Sequence, residues 1–90
     1  MAFYVVSYDL KEKTSHDYKN LWDALDGMDS VKTQKSVYYV SSTHTQSGLR
    51  DVIKQHMHND DNLFVAEFTK RPNYANALAG TNAWLDRHFK

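Results

Sequence analysis

The sequence predicts an α+β sandwich, with two helices on one face of a four-stranded antiparallel sheet and a further helix at the C-terminus. Three observations predict it. Runs rich in β-branched and aromatic residues occupy positions 3–9, 31–42 and 63–68 and read as strands. The two stretches between those runs carry apolar residues at helical spacing. Gly27, Gly48, Pro72 and Gly80 punctuate the chain without any linker-like or repetitive tract.

Residues 3–9 (Phe-Tyr-Val-Val-Ser-Tyr-Asp) are apolar on both faces, which marks a central strand. A polar loop, Leu10-Lys11-Glu12-Lys13, follows it. Thr14 with Asp17 three residues on resembles a capping box. Tyr18, Leu21, Trp22 and Leu25 then form one apolar helical stripe, and Gly27 is placed to end the helix. The run from 31 to 42 is long for one strand, and the sequence predicts two strands meeting near Lys35-Ser36. Leu49, Val52, Ile53 and Met57 repeat the helical stripe, with Ser47 as the expected N-cap and Asn59-Asp60-Asp61-Asn62 as the stop. Residues 63–68 give the last strand, which Pro72 is expected to close. Thr81 is expected to cap a final helix in which Leu85 and Phe89, and likewise Trp84 and His88, lie one turn apart.

This order is β-α-β-β-α-β. Right-handed crossovers fold it most simply as a ferredoxin-like sandwich with an extra C-terminal helix, one domain over residues 1–90. One sheet face would then need covering by the tail, a second subunit or a ligand. A chain this short buries only about 60–65% of its unfolded surface, so dimerisation would help it.

Composition excludes several classes. Eleven Lys+Arg balance eleven Asp+Glu, so net charge alone does not grip nucleic acid. No cysteine is present, which excludes disulfide scaffolds and thiolate zinc sites. An apolar fraction of 41% excludes a disordered chain. No apolar run reaches the roughly 18 residues of a membrane span, and the N-terminus lacks a signal-peptide pattern; the expectation is a soluble, cytoplasmic protein without membrane contact.

Val6-Ser7-Tyr8-Asp9, followed at sensible spacing by Gln34-Lys35-Ser36-Val37-Tyr38, resembles the CRISPR-associated protein 2 superfamily, which includes the virulence-associated protein D ribonucleases. The likeness covers roughly residues 3–68 and rests on short motifs. It implies a ferredoxin-like homodimer in which the Asp ending the first strand lies near the dimer axis. Two such carboxylates would hold a divalent metal for phosphodiester cleavage of RNA or DNA. Asp9 is therefore the implied catalytic residue and the implied ligand of Mg²⁺ or Mn²⁺, a hard cation that takes oxygen donors. In CRISPR systems the dimer also bridges integrase subunits and binds duplex DNA. This chain departs from the pattern in two places: its first arginine is Arg50, and its tail reads as helix where the CRISPR branch has an extra strand.

Each site residue has a plainer reading beside the functional one. Asp9 is a metal ligand, or an aspartate that ends a strand and begins a turn. Lys11, Lys13, Lys32 and Lys35 form a phosphate-binding patch with Tyr38 and Tyr39 for base stacking, or they are scattered solvated charges offset by Asp23, Asp26 and Asp29. Ser36 contacts phosphate or marks a strand crossing. Glu12 is a second acid or a loop charge, and Ser7 orients Asp9 or fills a small space. His56 and His58 lie two apart, with His44 nearby in sequence, but would face different sides of a helix and so do not chelate one zinc ion, and His16 reads as a surface residue. Strand aromatics facing away from the helices would suit a dimer interface.

The reading that follows is a metal-dependent endonuclease acting as a homodimer, with Asp9 catalytic and Lys11, Lys13, Lys35 and Ser36 contacting nucleic acid. The alternative is a non-catalytic dimeric module that binds nucleic acid or a protein partner; the neutral charge and scarce arginines favour it. A small-ligand regulatory domain is a third reading that no residue demands.

Overall fold

The computed structural model describes residues 1–11 and 18–89. Its elements are β1 (Ala2–Asp9), α1 (Lys19–Asp26), β2 (Asp29–Gln34), β3 (Val37–Ser42), α2 (Gln46–Lys54), β4 (Asn62–Phe68) and α3 (Thr81–His88). The four strands form one antiparallel sheet in the order β2-β3-β1-β4. The strand that is apolar on both faces, β1, sits in the interior of that sheet, as its composition requires. The long run divides at Lys35-Ser36 as expected. The capping box expected at Thr14 and Asp17 lies outside the described residues. No helix among the described residues is long and apolar enough to cross a membrane.

Strand alternation sorts the core into two layers. Tyr4, Val6 and Tyr8 of β1, with Tyr38 and Val40 of β3, face α1 and α2 and pack against Leu21, Leu25, Leu49, Ile53 and Met57. Their neighbours Phe3 and Val5, with Tyr39 and Phe68, face the other way and pack against Trp84, Leu85 and Phe89. The tail therefore covers the second sheet face within the same chain. Trp84 and Leu85 are buried, and Trp84 meets Phe3 edge-on at 6.2 Å and Tyr39 at 6.1 Å. Cover is incomplete. Phe64, on the same face, remains 60% exposed.

Asp29, at the start of β2, ties α3 down. Its Oδ1 accepts from the Trp84 indole (3.1 Å) and the Arg87 guanidinium (2.8 Å). The His88 Nε2 lies 3.1 Å from its Oδ2, close enough for an ion pair when the imidazole is protonated but without hydrogen-bond geometry.

Three local expectations are corrected. The N-cap of α2 is Thr45, not Ser47: Thr45 is extended, and its hydroxyl accepts from Gly48 N–H at 3.1 Å, which starts the helix two residues earlier. The N-cap of α3 is Gly80, not Thr81; its φ of +93° suits glycine, and Thr81 instead bonds back to the Leu78 carbonyl. Pro72 does not close β4, which ends at Phe68. The segment after it crosses to the opposite edge, where Leu78 N–H donates to the Thr33 carbonyl at the irregularity in β2.

Candidate functional site

β1 ends at Asp9, which still pairs with Asn62 of β4 and is exposed to solvent. One hydrogen bond gathers the rest of the site: Tyr8 N–H donates to the Ser36 carbonyl at 3.1 Å. That bond holds the β2–β3 turn, with Lys35 and Ser36, against the end of β1. α1 adds Trp22, which tilts against Tyr8 at 5.5 Å between ring centroids. β2 adds Lys32, whose ammonium lies 5.8 Å from the Trp22 ring centroid in a cation–π contact. The result is a cleft of about 380 Å³ lined by Tyr8, Asp9, Leu10, Trp22, Lys32, Lys35 and Ser36.

The lining of the cleft is mostly polar, with more positive than negative groups. Two ammonium groups and a hydroxyl line it, and Asp9 is the one acid among the lining residues. Lys11 stands beside Asp9, Nζ to Oδ2 at 3.5 Å, with both side chains largely exposed. Such a pair is weak in water and is easily given up to another partner. Burial pushes the Tyr8 hydroxyl well above the ordinary phenol range, helped by the nearby Tyr38 and Asp26, so it stays protonated at neutral pH.

Asp61 organises the neighbouring loop. It accepts from Lys11 N–H (2.7 Å), the Tyr18 hydroxyl (2.8 Å) and His58 N–H (2.9 Å). Partial burial works against its charge, but those hydrogen bonds outweigh it and hold the carboxyl below the ordinary range. A carboxylate depressed in the folded state adds stability that is full above its unfolded pKa of about 3.9 and is lost as pH falls through the folded value. Asp61→Ala is expected to cost about 1–2 kcal/mol at pH 7, and the difference from wild type should shrink on acidification below about pH 4. Urea denaturation at pH 7 and pH 3 checks this; an equal cost at both would refute the assignment.

The expected site residues divide as follows. Asp9, Lys35 and Ser36 share the cleft, and Lys11 reaches its rim through Asp9. Lys13, Glu12 and His16 lie outside the described residues. Tyr39 does not serve the patch: its side chain is on the opposite sheet face, buried under α3. Tyr38 is on the cleft side but buried in the core, so Trp22 is the aromatic that a base could meet. Trp22 was legible only as a helix anchor, because nothing local shows that Lys32 will lie over its ring. Among the described residues no group of three or more His, Asp or Glu is placed to hold a metal. Among the described residues lining the cleft, Asp9 is the one carboxylate.

The fold is a small α+β sandwich with a lysine-lined cleft at the end of its central strand. Compared with known proteins, the chain matches no family model and no solved structure.

Proposed function

We propose that the chain adopts the ferredoxin-like fold and acts as a homodimeric, divalent-metal-dependent endonuclease of the kind its two motifs resemble. The two interleaved β-α-β units and the order β2-β3-β1-β4 support the fold. One observation carries the function: the exposed Asp9 carboxylate stands on the rim of a cleft whose other charged groups are Lys32 and Lys35. That pairs an oxygen donor for a hard cation with amines for phosphate. The donor set fits Mg²⁺ or Mn²⁺ only when a second copy brings its own Asp9, so the reading requires the dimer. Ser7, Val37 and Ala66 share the sheet face that α3 leaves partly uncovered, next to Asp9, and offer a surface for a second copy. When bound, the cation supplies an activated water and neutralises developing charge. Asp9 would hold it, Lys32 and Lys35 would seat the phosphate, and Lys11 would release Asp9 for that task. The lack of cysteine suits a reducing, cytoplasmic setting.

Incubation with single-stranded RNA, duplex RNA and duplex DNA, with Mg²⁺ or Mn²⁺ and an EDTA control, tests the proposal. Cleavage that needs metal, from protein that sediments as a dimer, is the expected result. No cleavage under any condition would overturn it and leave the dimeric interaction module. The observation favouring that second reading is the single carboxylate that each cleft contains.

A further inference from the structure

The edge of β4 carries a second, separate surface. Because Tyr8 N–H bonds toward β3, the alternate residues Phe3, Val5 and Ser7 bond toward β4, to Phe68, Ala66 and Phe64. The backbone groups of Leu63, Val65 and Glu67 must then point away from the sheet. Glu67 confirms it: its N–H donates to Gln46 Oε1 of α2 at 2.9 Å. No backbone partner for Leu63 or Val65 on that side occurs among the described residues. Beyond Glu67 and the Gln46 cap at one end, β4 has little edge protection. It is seven residues long, pairs with β1 without a register shift, and contains no Pro or Lys.

α2 overhangs this edge. Gln46, Arg50 and Lys54 follow one another at i, i+4 and i+8, and Gln46 already reaches the edge backbone. Arg50 and Lys54 line a cleft of about 300 Å³ together with Met57, Asn62 and Leu63. α2 runs antiparallel to β4, so Gln46 at Glu67 places Arg50 near Val65 and Lys54 near Leu63. The spacings agree: four helical residues advance about 6.0 Å, and two strand residues about 6.8 Å. Two acids face the same space. Asp61 lines the cleft but is engaged by three donors, and Asp51 pairs with Arg50 at 3.0 Å across an exposed i, i+1 contact.

We infer that the open edge of β4, beneath Arg50 and Lys54, docks an extended segment of another protein with an acidic–apolar–acidic pattern. The segment adds a fifth strand through the N–H and C=O groups of Leu63 and Val65. Its two acidic side chains lie on the α2 face, one under Arg50 and one under Lys54. The residue between them points to the opposite face, against exposed Phe64. The occupant is not a second copy of this chain, whose sequence nowhere places two acids at i, i+2. This surface is independent of Asp9.

The test uses a fluorescein-labelled peptide, Thr-Asp-Phe-Asp-Thr with blocked ends, followed by anisotropy and by amide hydrogen exchange of the full chain. The peptide should bind and slow exchange at Leu63 and Val65. Lysine in place of both aspartates should abolish binding. Arg50→Glu with Lys54→Glu, both exposed and outside the core, should weaken it by at least about tenfold. Lack of binding, equal binding of the lysine peptide, or unchanged exchange at Leu63 and Val65 would overturn the inference. So would hexathymidylate protecting those same amides with equal affinity, because the edge would then be reading negative charge alone.

Discussion

Asp9→Asn is expected to reduce metal-dependent cleavage at least about a hundredfold, as removal of a charged group that stabilises a transition state commonly does. The amide keeps the shape of the carboxylate and loses the charge that holds a cation. Stability should not follow activity. The Asp9 side chain is 70% exposed and its ion pair is to an exposed lysine, so the substitution should change unfolding free energy by less than about 0.5 kcal/mol. Dimerisation supplies a second readout with an opposite sign. In the proposed dimer, two Asp9 carboxylates near one axis would repel without metal, so in EDTA the Asn variant should associate as tightly as wild type or more tightly. Added Mg²⁺ should then tighten wild type alone. On the proposed function, Lys32→Ala with Lys35→Ala should act differently, raising KM more than it lowers kcat, because the amines would bind phosphate before and during the reaction alike. Cleavage by Asp9→Asn at the wild-type rate, on identically purified protein, would place the chemistry elsewhere or in a contaminant.

Most of the frame was legible because its signals are local. β1 declared itself central by being apolar on both faces, and Leu21, Leu25, Leu49 and Ile53 of the helical stripes are fully buried. Pairing across elements was harder to read. Tyr39 was grouped with Tyr38 as part of a stacking patch, yet consecutive strand residues face opposite sides; once Tyr38 packs under the helices, Tyr39 must face α3. Asp61 was legible only as part of a helix stop, since its three donors come from Lys11, Tyr18 and His58, up to fifty residues away. The cap of α2 moved from Ser47 to Thr45 because serine and threonine signal equally well, and the geometry of the preceding turn decides between them. The site was legible in its acid and its turn, Asp9 with Lys35 and Ser36. Its wall was not, because Lys32 and Trp22 meet only after a helix is laid across a strand.

Trp84→Ala is expected to be the most damaging single change to the fold, costing about 3–5 kcal/mol. Trp84 is 4% exposed and touches rings from three directions: Phe3, Tyr39 and His88. Its indole N–H is one of the bonds that hold α3 to Asp29. Truncation removes a large buried surface and leaves Asp29 to Arg87 and His88. A domain of this size has about 5–15 kcal/mol in total, so the variant should lose about a fifth or more of its stability and bind a hydrophobic dye at the uncovered sheet face. Trp84→Phe separates the two contributions: it retains most of the ring contact and loses the bond to Asp29, and should cost about 1–2 kcal/mol. Urea midpoints for the three proteins, each at two concentrations tenfold apart, give the decisive comparison. Because α3 packs within its own chain, the penalty of Trp84→Ala should be the same at both concentrations. A penalty that fades as the protein is diluted would mean that Trp84 covers a partner's sheet in solution, and a penalty under about 1 kcal/mol would mean that α3 contributes little to the folded state.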